Sequence, residues 1–300
     1  MEPSGVIIIN KSEGMTSHDV VNKMRRLFST RRVGHTGTLD PMATGVLVIL
    51  IGRAAKAAEY LSSDEKGYLA TLRLGTTYDT EDITGTPISS SDFIPDESAV
   101  YTAIEGFVGN IMQTPPMYSA LKVNGQKLCD LARKGIEIER EARPVTVFSI
   151  DTKKGDIPTD YILSVKCSAG TYIRTLCSDI GEALGCGGAM ATLCRTLAGG
   201  FSIENSHTLE ELEALSYEER LSLLVPTEAL FCDLPSVALP AFYEKLCRNG
   251  CEIYLSKLRI TLPLGTRVRL CSQSGEFFAL GEIREYPDGL AIKAIKLFDI

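Results

Sequence analysis

One carboxylate in this chain is placed to do chemistry alone. Asp40 lies in the stretch from Arg31 to Ile51, RRVGHTGTLDPMATGVLVILI, with Gly34, His35, Thr36, Gly37 and Thr38 before it and Pro41 fixing the backbone behind it. A solitary aspartate can attack an electrophilic carbon as a nucleophile or take a proton as a base. An Asp-Pro corner by itself is an ordinary turn; the small, polar and stiff residues crowded around Asp40 mark this one as more. His35 is one of three histidines, and no serine elbow accompanies it. It reads as a loop residue able to touch a bound group, not as a metal ligand. The nine cysteines contain no Cys-x-x-Cys pair, which argues against a zinc ribbon and a disulfide framework; reduced, mostly buried thiols are expected. Gly185-Cys-Gly-Gly188 carries Met190 where a dinucleotide loop needs its third glycine, and it follows a helix instead of opening one.

The elements around Asp40 can be read in order. Val46 to Ile51 is an unbroken apolar run too short to span a membrane, hence a buried strand. The stretch thus reads as a glycine-rich loop delivering one acid to the edge of a rigid sheet. Gly5 to Ile9 reads as an earlier strand. Thr16 or Ser17 caps a helix whose Val20, Val21, Met24, Leu27 and Phe28 recur at helical spacing, with Lys23, Arg25 and Arg26 on its other face and Arg31 and Arg32 following. Lys66 to Leu74 alternates and puts Tyr68, Ala70, Leu72 and Leu74 on one face of a strand. Glu97 to Val108 has helical spacing, and Asn124-Gly125 is a hairpin-turn signal beside a second basic cluster of Lys122, Lys127, Arg133 and Lys134. Tyr161 to Cys167 alternates, and Gly170 to Arg174 turns that strand into a helix reaching Leu184. The chain is acidic and helical from Glu204 to about Leu224. After Pro235 and Pro240 it ends in short strands with Gly, Ser-Gly and Asp-Gly turns, a small all-β unit.

Three blocks, GHTGTLDPMATGVL, QTPPMYSALKVNGQKLCDLARKG and GTYIRTL, resemble the signatures of the TruB-type tRNA pseudouridine-55 synthases. The resemblance covers roughly residues 5 to 200 and extends weakly to the end. It implies an α+β fold with a mixed, largely antiparallel sheet flanked by helices in a catalytic domain, 1–234, and a small all-β PUA-like RNA-binding domain, 235–300. It further implies that Asp40 is the catalytic carboxylate, that Arg174 pairs with it, and that Tyr68 stacks on the target base. Leu193 would line the base pocket, with His35 and Tyr172 also touching substrate. A guanidinium would hold Asp40 ionised and oriented through a bidentate bond. The implied activity converts uridine 55 in the T arm of tRNA to pseudouridine, in a monomer without cofactor or metal. The N1–C1′ bond breaks, the uracil rotates, and C5 joins C1′; no electrons or groups are gained or lost.

The totals set bounds on this reading. A hydrophobic share of 44% and a charged share of 23% fit a soluble globular protein. With neither a long apolar run nor a secretory leader, a cytoplasmic location is expected. The net charge of −7 disfavours a polyanionic partner at first sight. Yet residues 204–233 hold Arg220 against eight acidic residues, a local −7 equal to the whole. RNA binding then needs basic groups gathered on one face, away from that segment. Two rival classes remain at this level: an RNA-binding protein without chemistry, and an Asp-nucleophile hydrolase acting on a small sugar.

Overall fold

The computed structural model describes residues 2–61, 65–123 and 125–298. The chain enters on β1 (Gly5–Lys11), turns into α1 (Ser17–Leu27) and returns through a short β2 (Val33–His35) to β3 (Thr44–Ile51). Thr16 caps α1 with a capping box: its hydroxyl accepts from the Asp19 N–H while the Asp19 carboxylate accepts from the Thr16 N–H. β1 and β3 pair antiparallel, and both are apolar without alternation because both faces are covered. Ile7, Ile9, Leu47 and Ile49 pack with Val20 and Met24 of α1 and with Phe28 just after it, whereas Val6, Ile8, Val48 and Leu50 face a second core.

A 3-10 stretch, Gly52–Tyr60, leads towards β4 (Lys66–Leu74), whose bounds are those of the alternation in the sequence. A small hairpin of β5 (Thr76–Tyr78) and β6 (Pro87–Ser90) follows, then α2 (Glu97–Glu105) and β7 (Gly109–Gln113). A second hairpin of β8 (Lys122–Val123) and β9 (Gln126–Lys127) precedes α3 (Leu128–Ala132). Asn124 of its expected turn lies outside the described residues. β10 (Arg143–Lys154), β11 (Asp160–Cys167), α4 (Ile173–Ala183), β12 (Gly188–Ala198) and β13 (Phe201–Ser202) complete the main sheet. Its strand order is β1-β3-β12-β4-β11-β10-β7, with β2 on β3 and β13 on β12. Every pairing is antiparallel except β12 with β3, which run parallel at Cys194–Thr44 and Arg195–Gly45. This is the mixed, largely antiparallel sheet flanked by helices that the sequence led us to expect.

The helical stretch after Glu204 is two elements, α5 (Leu209–Ala214) and α6 (Tyr217–Ser222). Thr208 and Ser216 each open one with a capping box, and Leu215 between them is extended, so a single helix cannot run through. Beyond it, β14 (Ser236–Ala238), α7 (Ala241–Arg248), β15 (Ile253–Tyr254), α8 (Leu255–Leu258), β16 (Arg267–Cys271), β17 (Phe277–Tyr286) and β18 (Gly289–Leu297) follow. Their strands form a second sheet in the order β14-β16-β17-β18-β15, with its own core around Leu270, Phe278, Ile283 and Ile292. The sequence pattern anticipates β16, β17 and β18 but not β14, α7, β15 or α8. A smaller cluster of Ala57, Phe231, Leu280 and Phe298 joins this sheet to the main body. Among the described residues no helix is long and apolar enough to cross a membrane.

Candidate active site

Asp40 sits in the loop between β2 and β3, and three buried side chains hold that loop. Lys11 Nζ donates to the carbonyls of Met15 (2.7 Å), Ser12 (3.0 Å) and Pro41 (3.2 Å). The Ser17 hydroxyl donates to the Leu39 carbonyl (3.1 Å) and accepts from the Leu39 N–H (2.8 Å). Arg195 donates to the carbonyls of Val46 (2.7 Å), Gly37 (3.1 Å) and Thr38 (3.3 Å). The glycine this arrangement needs is Gly45. Its φ is +95°, and a Cβ there would lie 2.2 Å from the Arg195 carbonyl oxygen. Gly34 and Gly37, by contrast, stay out of the left-handed region.

Arg174 reaches Asp40 from the first turn of α4. Its Nε lies 3.0 Å from Asp40 Oδ2 and 3.9 Å from Asp82 Oδ2. Nη1 donates to the Thr80 carbonyl (3.1 Å) and Nη2 to the Tyr118 carbonyl (2.8 Å). The expected bidentate grip on Asp40 is therefore absent: backbone carbonyls take the two outer nitrogens and fix the guanidinium independently of Asp40. Asp40, Tyr68, Tyr172, Arg174 and Leu193 line one cavity of about 540 Å³, within the usual range for small-ligand sites. Tyr172 is placed by buried Gln113, whose Oε1 accepts from the Tyr172 N–H (2.7 Å) and whose Nε2 donates to the Tyr172 carbonyl (3.0 Å). The cavity thus sets the Asp40 carboxylate beside a fixed cation, with Asp82 facing the same cation and aromatic and apolar side chains for walls.

Residues 25–173 match the N-terminal domain of the TruB family of pseudouridylate synthases, and residues 174–231 match the tRNA pseudouridylate synthase B C-terminal domain. The chain is 42% identical over 295 residues to a tRNA pseudouridine synthase B of Clostridium kluyveri, covering 98% of this chain and 99% of that one. The chain belongs to the TruB family. A TruB relative from Neisseria meningitidis serogroup A is 40% identical across 99% of this chain and 95% of its own. Among solved structures, a Cbf5-Nop10-Gar1 complex superposes with a TM-score of 0.73 at 26% identity, covering 98% of this chain and 84% of that one. The two TruB family matches meet between Ile173 and Arg174, so the site draws Asp40 and Tyr68 from one and Arg174, Leu193 and Arg195 from the other.

In this TruB enzyme the electrostatics differ from the sequence reading in one respect. Asp40 is raised above the ordinary aspartate value: burial pushes it up by more than Arg174 pulls it down, and the neighbouring Asp82 pushes the same way. Arginine lies beside the carboxylate, but it does not offset the whole cost of partly desolvating a side chain that stays 36% exposed. Tyr68 is pushed up by burial, partly offset by Arg195 beside it. His35 closes β2 and does not line the cavity; its Nδ1 is buried without a hydrogen-bond partner, and burial lowers its pKa. Among the described residues no group of three His, Cys, Asp or Glu side chains could hold a metal ion.

Asp82, Lys11, Ser17 and Arg195 were not singled out as site residues from sequence. Asp82 is buried, and its Oδ1 accepts from the Thr80 hydroxyl (3.1 Å), the Thr84 N–H (2.9 Å) and the Thr84 hydroxyl. The polar, glycine-bounded run GTTYDTEDITG was a signal that this loop matters, but nothing in it tells which acid turns inward.

Proposed function

We propose that this TruB enzyme isomerises uridine 55 in the T arm of tRNA to pseudouridine, with Asp40 as the catalytic carboxylate. One observation carries the reading: Arg174 Nε stands 3.0 Å from Asp40 inside a cavity walled by Tyr68, Tyr172 and Leu193. The ionised carboxylate acts at the sugar, either as nucleophile on C1′ or as base on the C2′ proton, which is later returned; both routes break N1–C1′ and join C5 to C1′, with the C5 proton leaving and N1 taking up a proton. Tyr68 stacks on the uracil and Leu193 packs against it while it turns, and the bound nucleotide, filling the cavity, keeps water from capturing the cleaved sugar. The uridine must first leave its stack, at about a few kcal/mol, and contact with Tyr68 and Leu193 offsets that cost. Lys66, which also lines the cavity, and the exposed Arg26 and Arg31 near the Asp40 loop contact phosphates. Residues 1–234 act as the catalytic domain and 235–300 as a PUA-like RNA-binding domain. The enzyme works as a monomer, as the family resemblance implies.

Mapping the product tests this directly. A T-arm transcript treated with the enzyme should gain pseudouridine at position 55, detected by carbodiimide modification and primer extension. The Asp40→Asn variant should leave the transcript unmodified. Modification at a different uridine overturns the choice of site, and modification by Asp40→Asn overturns the role of Asp40.

A further inference from the structure

The loop that brings Asp82 to Arg174 contains a residue the reading above leaves idle. Glu81 is not a glycine, yet its φ is +63°. Ser29 and Arg259 share that property among the described non-glycine residues, but each ends a helix, where a left-handed residue is ordinary. Glu81 follows no helix. If the turn needed only this backbone conformation, glycine or asparagine would supply it with less strain. A glutamate here points to a use for its side chain.

That side chain is committed: Glu81 Oε2 accepts a hydrogen bond from the Thr175 hydroxyl (2.5 Å), and Thr175 is buried on α4 immediately after Arg174. The loop thus grips α4 through three consecutive residues. The Thr80 carbonyl accepts from Arg174, Glu81 accepts from Thr175, and the Asp82 carboxylate faces Arg174. On its other side the same turn is docked to β12, where Met190 N–H donates to the Glu81 carbonyl (3.1 Å) and Ile83 N–H donates to the Met190 carbonyl (3.1 Å). We infer that Glu81 is a positioning residue for the pseudouridylate synthase reaction: its carboxylate, presented from a strained turn, braces the first turn of α4 and so fixes Arg174 against Asp40. The inference rests on the proposed role of the Asp40–Arg174 pair. Asp179, one turn along α4, is raised to about 6 by burial and by Glu81 and Glu182. Glu81 itself is raised above the ordinary glutamate value by burial, which Thr175, Arg174 and Arg140 only partly offset, so its placement is costly as well as strained.

The test compares Glu81→Gly, Glu81→Gln and Thr175→Val by single-turnover rate, tRNA affinity and melting temperature. Glu81→Gly relieves the backbone strain while deleting the brace. It should melt no lower than wild type, bind tRNA within about twofold of it, and react about tenfold more slowly. Glu81→Gln keeps an acceptor for Thr175 and should recover most of the rate. Thr175→Val should match Glu81→Gly, and combining the two should slow the reaction no further. A Glu81→Gly protein with the wild-type rate overturns the inference, as does a slow one that also melts early and is not rescued by glutamine. A wild type that converts no uridine overturns the functional reading and this inference with it. Wild-type conversion beside an unaffected Glu81→Gly overturns this inference alone.

Discussion

At the scale of single residues, the chemistry turns on how one carboxylate is charged. Asp40 faces a cation 3.0 Å away and is still raised above 3.8, because burial outweighs Arg174 and Asp82 adds a second negative charge nearby. Both chemical routes need the ionised form. Raising the pKa means that this form is lost at a higher pH as the solution is acidified. The rate of the chemical step should therefore fall on the acid side with an apparent pKa above the ordinary aspartate value, measured in single-turnover reactions across pH. Replacing Asp82 with Asn removes the like charge and should move that acid limb downwards, whatever it does to the maximal rate. An acid limb at or below 3.8 in the wild type would contradict the electrostatics of the cavity. The sequence pointed to Asp40, since Gly34 to Leu47 surrounds it with a local pattern. It did not show the direction of the shift, which depends on how far the fold desolvates the half-buried Asp40 and on Asp82, 42 positions away in sequence.

At the scale of elements, a loop is held still by the strands on either side of it. Local pattern was enough where local physics decides. The alternation of Lys66–Leu74 gave β4 its bounds, and Thr16, which with Ser17 was one of two caps the sequence offered, caps α1. The clamp on the Asp40 loop is a tertiary matter. Arg195 reaches Val46 across 149 positions and Thr38 across 157, so no window of sequence contains both ends of either bond. Nor does the sequence reveal that Gly45, rather than Gly34 or Gly37, is the glycine the backbone requires: that follows from β3 running parallel beside β12 at Arg195. Gly45→Ala places a methyl group into the Arg195 backbone at a left-handed φ. It should cost on the order of 3 kcal/mol in denaturant unfolding and slow the reaction, because relief comes only by moving β3 and the loop before it. A variant as stable as wild type would show that the close approach is not required.

At the scale of the whole molecule, the two sheets share an apolar seam. Phe231 and Phe298 pack with rings 5.9 Å apart, Phe277 and Phe298 with rings 5.3 Å apart, and the Tyr60 hydroxyl donates to the Ile295 carbonyl (3.2 Å). Tyr60 closes the 3-10 stretch whose Ala58, with the following Leu61, lines the reaction cavity, so the C-terminal sheet backs one wall of the site. Phe298→Ala should destabilise the protein by about 3 kcal/mol in chemical denaturation, with the loss spread over a single cooperative transition. A separate early transition of the C-terminal sheet would mean that the seam does not couple the two. The sequence placed the small β unit through its turns. It did not place the seam, which joins residues near 57 and 231 to residues near 280 and 298. The claim on which the rest depends is that Asp40 performs chemistry on a uridine held in this cavity. Its most direct test is release of tritium from tRNA labelled at uracil C5, run beside tRNA binding. Wild-type enzyme should release label, while Asp40→Asn should bind the same tRNA with similar affinity and release none. Tight binding with no release by the wild type, or undiminished release by Asp40→Asn, would contradict the account.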